Sequence, residues 1–221
     1  MDYTPFIVTF KLATFTTLTL LIIGLPLAYF LSFSRFKGKI LLESLLMLPI
    51  VLPPTVLGFY FLVYLGPNST VGHFFETTFG LSFAFTFEGI LLGSIIYCAP
   101  FMISPLITGF REIPSSIIES GKLLNKTKFD FAKKVLIPTI KNSILNASLL
   151  TFAHTIGQFG LILMIGGKLA ETNTVSVAIY DEMNSMQFDA AHWHSLSLLI
   201  ISFVLIITIN IIAKYKFGNR A

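Results

Sequence analysis

The sequence has little charge and almost no cysteine. Only 12% of its 221 residues are Asp, Glu, Lys or Arg, whereas a soluble domain carries about 25%. This shortage argues against an ordinary soluble fold. The 54% hydrophobic content and the 23 phenylalanines point to the membrane instead. The single cysteine, Cys98, excludes an internal disulfide, and we interpret it as a small buried hydrophobic residue.

Five apolar runs are long enough to cross a bilayer, for which about 20 residues are needed. The predicted spans are residues 12–33, 40–65, 87–110, 135–157 and 195–213. A shorter apolar run, 159–167, follows the fourth span, and hydropathy alone does not decide whether it extends that span or forms a re-entrant or broken piece. The N-terminus has neither the basic region nor the cleavage site of a secretory signal, so we expect the first span to be retained. The sequence predicts one all-α, polytopic membrane domain, residues 1–221.

The basic residues predict the orientation of the chain. Three Lys/Arg lie between spans one and two, seven lie between or just inside spans three and four, and three follow span five. Only Lys11 and Lys168 lie on the opposite side. By the positive-inside rule the first set is cytoplasmic. We therefore expect a plasma (inner) membrane protein with its N-terminus outside and its C-terminus in the cytoplasm.

The span centres also lack charged side chains. Carboxylates within a membrane are usually functional, so their absence argues against a proton- or sodium-coupled carrier. No G-x-S-x-G or H-E-x-x-H motif supports an intramembrane hydrolase. The letters IGGK at 165–168 lack the first glycine and the Ser/Thr of a phosphate loop, so we expect no ATPase site. The sequence predicts no enzyme activity, cofactor or metal site, and its net charge of +4 does not require a nucleic-acid partner.

A polar face runs along the fourth span. Ser143, Ala147, Thr151, His154 and Gln158 follow one another at steps of four, four, three and four residues, so they share one side of a helix. Small and hydroxyl residues at this spacing usually mean close helix packing. The alternative is a hydrated path for a polar solute, which His154 favours because an imidazole facing lipid would be costly.

The second span contains three prolines within the letters LPIVLPPTVLGFY, residues 48–60. Pro49, Pro53 and Pro54 each remove a backbone hydrogen-bond donor. Broken backbone at membrane depth is tolerated only where protein or a water-filled cavity satisfies the freed groups. Together with Thr55 and Gly58, the prolines predict a bend that lines or gates a pathway.

A polar, lysine-rich segment, residues 111–138, separates spans three and four. Pro114 and the following SSIIE predict a helix start, with Ser116 as N-cap and Glu119 completing a capping box. This is a purely structural use of Glu119. The helix would continue along Ile117, Gly121 and Leu124. A second helical piece from about Lys128 leads into span four. Such a helix would lie on the membrane surface or dock into the groove of a partner, and physical reasoning leaves both open.

The spacing of this segment resembles a known loop. Glu119-Ser120-Gly121, then Asn125, then Ile137-Pro138 match the Glu-Ala-Ala…Gly…Leu-Pro pattern of ABC importer permeases. Ser120 and Gly121 replace the two alanines, Asn125 replaces glycine, and Ile137 replaces leucine. Asn is the residue best able to imitate glycine in a left-handed turn. The resemblance implies a coupling helix that sits in a cleft on an ATP-binding subunit. The coupling positions are Ile117, Glu119, Ser120, Gly121, Leu124, Asn125, Phe129 and Pro138.

Three further stretches resemble one group within the ABC importer permeases. LPIVLPPTVLGFY looks like the second-span signature of molybdate ABC transporter permeases. TFAHTIGQFG, residues 151–160, resembles their Phe-Ala-x-x-x-Gly-Glu-Phe-Gly motif, with Gln158 in place of glutamate. VSVAIYDEM is similar to the segment that precedes their last span. The chain is identified as a member of this family over nearly its whole length. The residues assigned to a translocation path or gate are Pro53, Pro54, Thr55, Gly58, Thr151, His154, Gly157, Gln158 and Gly160.

The resemblance implies a type I ABC importer permease fold and a set of partners. These are a second permease copy, two ATP-binding subunits, membrane lipid and an external oxyanion-binding protein. The implied substrate is molybdate, with tungstate as a further candidate. Sulfate, thiosulfate or another small solute carried by the same architecture is the alternative, and a stand-alone channel or ion-coupled carrier is a rival of another class. Because the span centres have no basic residue, we expect selectivity to lie mainly in the external binding protein.

Overall fold

The computed structural model describes residues 2–123 and 128–217, and its side-chain detail leaves out residues 120–129 and 209–217. Over the described residues the chain is helical and contains no strand. The helices are Thr4–Phe33 (α1), Lys39–Val51 (α2), Pro54–Leu65 (α3), Thr70–Phe79 (α4), Phe87–Arg111 (α5), Ser115–Leu123 (α6), Lys128–Phe131 (α7), Ile137–Thr139 (α8), Lys141–Ile156 (α9), Gly160–Gly166 (α10), Val175–Asn184 (α11) and Phe188–Phe217 (α12). A π-helical segment, Ala132–Leu136, lies between α7 and α8.

Three of the five predicted spans are continuous helices. Helices α1, α5 and α12 are each long and apolar enough to cross a membrane. The second and fourth predicted spans are each broken into two helical pieces, and the bend predicted for the second span is confirmed. Helices α2 and α3 meet at an angle of 113°, and the piece Ala132–Thr139 meets α9 at 66°. Prolines account for the first break, because Pro53 is the N-cap of α3 and Pro54 its first residue, where their missing N–H groups interrupt the helical ladder. The second break lies at Ile140, two residues after Pro138, where the backbone has φ −94° and ψ 17°.

The short apolar run after the fourth span is a separate helix. Helix α9 ends at Ile156 and α10 begins at Gly160. Between them the backbone of Phe159 turns to φ −126° and ψ −69°, outside the helical region. The two longer connections also contain helices, α4 between α3 and α5 and α11 between α10 and α12. Helix α11 covers the stretch VSVAIYDEM.

Helices α1, α5 and α9 pack against one another and form the centre of the fold. Their buried face includes Leu31, Met102, Leu106 and Phe110. The close approach of α5 and α9 requires a glycine, because a Cβ at Gly109 would lie 2.6 Å from the Cβ of Ser143. Much of the outward apolar surface of α2, α3 and α12 is exposed, as expected for helices whose solvent is lipid.

Helix α10 is wedged between α3 and α5. On one side a Cβ at Gly58 of α3 would lie only 2.7 Å from the Cβ of Met164. On the other side Leu161 and Ile165 of α10 join Ile90 of α5 in a second buried cluster. This packing holds the break between α9 and α10 beside the break between α2 and α3.

Candidate translocation site

A cavity of about 320 Å³ lies where the two broken helices approach α5. Helix α3 contributes Pro54, and α5 contributes Tyr97. The remaining lining comes from the end of α9, the break after it and the start of α10, namely Ala153, His154, Gly157, Gln158, Phe159 and Gly160. Non-helical backbone at membrane depth is expected only where it is buried in protein or lines a cavity, and this break does the second.

The regular helix of α9 ends before Gly157 and Gln158. The N–H of Gly157 donates to the carbonyl of Ala153 at 3.3 Å, and the N–H of Gln158 donates to the carbonyl of Thr155 at 3.3 Å. The helix therefore tightens as it ends, which satisfies its last backbone groups. The start of α10 then packs on α3, because a Cβ at Gly160 would lie 3.1 Å from Cγ2 of Thr55.

Gln158 is buried and makes one hydrogen bond across the fold. Its exposed fraction is 4%, and its Oε1 accepts a 2.9 Å hydrogen bond from the Oγ of Ser94 on α5. Its Nε2 is buried without a hydrogen-bond partner among the described residues. One turn after Ser94 on α5, the Sγ of Cys98 lies 3.4 Å from the Oγ1 of Thr155. In this arrangement the amide oxygen of Gln158 is paired and its amide nitrogen is not.

His154 lies against two aromatic rings of α5. Its ring centroid is 3.8 Å from that of Phe101 and 5.3 Å from that of Tyr97, and both pairs are stacked. The imidazole Nε2 is buried and has no hydrogen-bond partner in the part of the chain that the structure describes. The two stacking contacts fix the position of the ring at the cavity.

The cavity brings together five of the nine residues predicted for the path or gate, namely Pro54, His154, Gly157, Gln158 and Gly160. Pro53 precedes Pro54 as the N-cap of α3, and Thr55 and Gly58 pack on α10. Thr151 is fully buried and does not line the cavity. Along the polar face, Ser143, Ala147 and Thr151 lie in helix packing, whereas His154 and Gln158 line the cavity.

The sequence reasoning missed Ser94 and Tyr97. Ser94 is fully buried, but α5 also contains Ser104 and Thr108, so the sequence did not distinguish its hydroxyl from theirs. Within the described residues no group of three or more His, Cys, Asp or Glu side chains is placed to hold a metal ion.

The segment predicted to be a coupling helix contains α6. The helix begins at Ser115, so Ser116 lies in its first turn and not at the predicted N-cap. Ile117 is half-buried and packs on the main core, whereas Glu119 is exposed. The remaining predicted positions are distributed as follows: Ser120 and Gly121 in α6, Phe129 in α7, Pro138 in α8, and Leu124 and Asn125 outside the described residues.

A helical bundle with up to five spans, in which the start of α3 and the end of α9 line a cavity beside α5, defines a multi-pass membrane transport subunit. The pattern of the family "Binding-protein-dependent transport system inner membrane component" matches residues 20–216. The chain belongs to this family, so the importer resemblance is confirmed and the protein is a multi-pass inner membrane component.

Individual relatives extend the comparison. The chain is 36% identical over 211 residues to the molybdenum transport system permease protein ModB of Azotobacter vinelandii, covering 95% of this chain and 93% of that protein. It is 30% identical over 209 residues to the putative molybdenum transport system permease protein YvgM of Bacillus subtilis, covering 94% and 92%. It is 26% identical over 200 residues to the sulfate transport system permease protein CysT of Salmonella typhimurium, covering 90% and 72%.

A solved structure supports the fold. The chain superposes with a TM-score of 0.77 on the crystal structure of a bacterial ABC transporter involved in the import of the acidic polysaccharide alginate, at 18% identity, covering 97% of this chain and 80% of that one. The predicted all-α ABC importer permease fold is therefore confirmed.

Proposed function

We propose that this chain is the membrane-spanning subunit of an ABC importer that brings molybdate, and also tungstate, into the cytoplasm. The observation that carries the proposal is the 36% identity to a molybdenum transport permease over 95% of the chain. The proposed complex contains two permease copies, two ATP-binding subunits and an external oxyanion-binding protein. In this proposal the chain itself catalyses no reaction, and ATP hydrolysis by the partner subunits drives transport.

The packing of α6 supports its role as the docking helix for the ATP-binding subunit. Ile117 and Ile118 of α6 belong to the same core as Phe110 and Ile113, at the end of α5 and just beyond it. Leu136, which leads toward α9, is buried in that core as well. Because closely packed groups move together, a displacement of α6 would be passed to α5 and α9. These helices carry Tyr97 and His154, so the docking site and the cavity would be coupled by a rigid-body movement.

The charge distribution supports an orientation in which α6 faces the cytoplasm. The lysine-rich segment around α6 and the basic residues before α2 then lie inside. Helices α4 and α11 would lie outside, where α11 would be available to the external binding protein. The N-terminus is proposed to be outside and the C-terminus inside.

Reconstitution tests the proposal directly. Proteoliposomes should contain the permease, its ATP-binding subunit inside and the oxyanion-binding protein outside. We expect molybdate uptake that needs ATP and the binding protein, and tungstate should compete. The matched control is the permease without the ATP-binding subunit. Uptake in that control would identify a channel or coupled carrier and overturn the proposal.

Sulfate is the second candidate substrate, favoured by the 26% identity to a sulfate transport permease. The same proteoliposomes, supplied with the cognate binding protein, distinguish the candidates. If sulfate were the substrate, labelled sulfate would accumulate with ATP, and an equal concentration of molybdate would not reduce its uptake. We expect the opposite result.

A further inference from the structure

Helix α4 has an apolar side and a polar side. Its apolar side chains recur at intervals of three or four residues, which places them on one face of the helix. The apolar face consists of Val71, Phe74, Phe75 and Phe79, and the polar face consists of His73, Glu76 and Thr77. A helix of this kind suits a place where one side meets an apolar medium and the other side meets water.

Much of the apolar face is exposed. The exposed fraction is 46% for Val71, 55% for Phe74 and 61% for Phe79. The fourth member, Phe75, is half-buried, and its ring centroid lies 5.3 Å from that of Phe83. Neighbouring apolar side chains that are left exposed in this way mark a contact surface.

The contacts of α4 hold it at the end of two membrane-spanning elements. Residues 66–69 are the whole connection from α3 to α4. The two helices pack closely, because a Cβ at Gly72 would lie 2.6 Å from the carbonyl oxygen of Leu65. In the loop after α4, Phe83 packs edge-to-face on Phe61 of α3, and this loop leads into the continuous span α5. Helix α4 therefore lies at the level where α3 ends and α5 begins.

The side of α4 that faces the bundle is part of its apolar face. On the helix surface Phe75 lies between Val71 and Phe79, and it is Phe75 that contacts the loop against α3. His73 and Thr77 lie on the other side and are exposed. The apolar face is thus turned toward the end of the bundle, where the bilayer ends, and the polar face is turned away from it.

The neighbouring surface of α3 indicates lipid as the partner. Tyr60 and Tyr64 are exposed near the end of α3, and their rings are stacked with centroids 6.3 Å apart. Tyrosine is enriched at membrane–water interfaces. The N-cap of α4 is attached to the same turn, because the Oγ of Ser69 donates to the carbonyl of Tyr64 at 2.7 Å. The exposed apolar face of α4 therefore continues a surface that already lies in lipid.

The composition of α4 indicates how it would bind. The helix contains no Lys or Arg, and Glu76 is its one acidic residue. Attraction to anionic headgroups therefore adds nothing, and the attachment depends on the apolar area that enters the bilayer. A soluble partner would have to be recruited to this face, whereas the bilayer is already beside it.

We propose that α4 is an interfacial helix that inserts Val71, Phe74 and Phe79 into the acyl boundary of the adjacent leaflet and keeps its polar face in water. The attachment holds the last turn of α3 at a fixed depth. Helix α3 in turn packs on α10 through Gly58 and Met164, so the anchor also supports the wall of the cavity. The proposal concerns the membrane and does not depend on which solute is imported.

The single tryptophan of the chain, Trp193, makes a fluorescence test possible. In a Trp193→Phe background, Phe74→Trp places one tryptophan on the apolar face of α4. The matched control is His73→Trp, which places it on the polar face, and both native side chains are exposed. The full-length permease is reconstituted in phosphatidylcholine vesicles whose acyl chains are brominated near the headgroup, because bromine quenches a tryptophan that it contacts.

We expect the brominated lipid to quench Phe74→Trp at least about twofold more than His73→Trp, because an interfacial helix buries its apolar face about 5–10 Å into the headgroup and acyl boundary. Acrylamide in the water should quench the two reporters in the reverse order. Equal quenching of both by the brominated lipid would overturn the proposal. Protection of Phe74→Trp from both quenchers would overturn it as well, since a second copy or another protein would then cover the face.

A second pair of reporters keeps the test decisive if Phe74→Trp fails to fold. Val71→Trp lies on the apolar face and Thr77→Trp on the polar face, and we expect the same order of quenching in the same background. Replacing part of the lipid with anionic phosphatidylglycerol should leave the quenching of Val71→Trp unchanged, because α4 has no basic side chain. A strong dependence on anionic lipid would contradict attachment by apolar contact.

Discussion

The Nη2 of Arg111 lies 2.6 Å from the Oε1 of Glu43, so an ion pair joins the last residue of α5 to α2. The side chains are 49% and 28% exposed, respectively, so solvent screens much of their attraction. Arg111 lies four residues before Ser115, where α6 begins. The ion pair therefore connects α2 to the end of α5 that leads into the proposed docking helix.

Removing one partner of this ion pair should have a small effect on stability. We expect Glu43→Gln to lower the free energy of unfolding by less than about 1 kcal/mol, because exposed ion pairs contribute little. Glu43→Arg should cost more, since it places two cations together, and adding Arg111→Glu should recover most of that loss. Thermal unfolding in detergent measures all three variants. If the double variant is no more stable than Glu43→Arg, the pair does not join the two helices.

Gly58 tests the packing of α3 on α10. We expect Gly58→Ala to lower the free energy of unfolding by about 1–3 kcal/mol, because the new Cβ would lie 2.7 Å from Met164 Cβ and the core must shift to accept it. The gain in helix propensity, about 1 kcal/mol, only partly offsets this cost. Gly157→Ala is the control, because its Cβ would meet nothing closer than 3.9 Å. Equal stability of the two variants would be incompatible with the close contact.

Sequence patterns were sufficient for the continuous spans and for the break in the second span, but they did not predict the bend at the start of the fourth. Hydropathy located α1, α5 and α12, and the prolines indicated where the second span bends. The angle of 113° between α2 and α3 was not predictable, because a missing donor permits a bend while its direction depends on tertiary contacts such as Gly58 with Met164.

The cavity also depends on tertiary contacts that the sequence does not reveal. The spacing of His154 and Gln158 placed them on one face, but two interpretations of that face remained open. The choice depends on partners more than fifty residues away, such as Ser94, which the letters around it do not distinguish from a packing serine. The start of α6 was misplaced by two residues, because the predicted N-cap was Ser116 and the helix begins at Ser115. Both serines suit a helix terminus, so the letters do not fix the boundary.

His194 links three elements on the proposed outer side. Its Nδ1 lies 2.9 Å from Oε2 of Glu182 in α11, and its Nε2 lies 3.2 Å from the carbonyl of Asp2, just before α1. We expect His194→Ala to lower the free energy of unfolding by about 1–3 kcal/mol, because it removes a buried side chain that is hydrogen-bonded to the half-buried carboxylate of Glu182. His192→Ala is the control, since that side chain is exposed. Thermal unfolding of both variants in detergent is the measurement, and equal melting temperatures would contradict the structural role.

The proposed orientation can be tested by cysteine labelling. The only native cysteine, Cys98, is fully buried, so the background should be low. Met186, which is 75% exposed, is expected to react as Met186→Cys with a membrane-impermeant maleimide added to intact spheroplasts. Ser115→Cys should react only in inverted vesicles. The reverse pattern would place α6 outside and remove the basis for its docking to a cytoplasmic ATPase.

The docking role of α6 is tested most directly at Gly121. A glycine within a helix costs about 1 kcal/mol relative to alanine, so its presence suits a surface that must come close to a partner. We expect Gly121→Leu to insert in the membrane normally but to uncouple ATP hydrolysis from molybdate uptake in the reconstituted importer. Leucine favours a helix more than glycine does, so unfolding of α6 would not explain the loss.

Glu119→Gln is the companion variant, because it keeps the volume of an exposed side chain on the same helix. If Glu119 serves only the helix itself, this variant should import molybdate with the normal yield per ATP. Uncoupling in Gly121→Leu alone would then assign the effect to bulk at the docking surface. Normal coupled uptake in Gly121→Leu would show that α6 does not enter a close-fitting cleft, and the lysine-rich segment would then be better explained as a helix on the lipid surface.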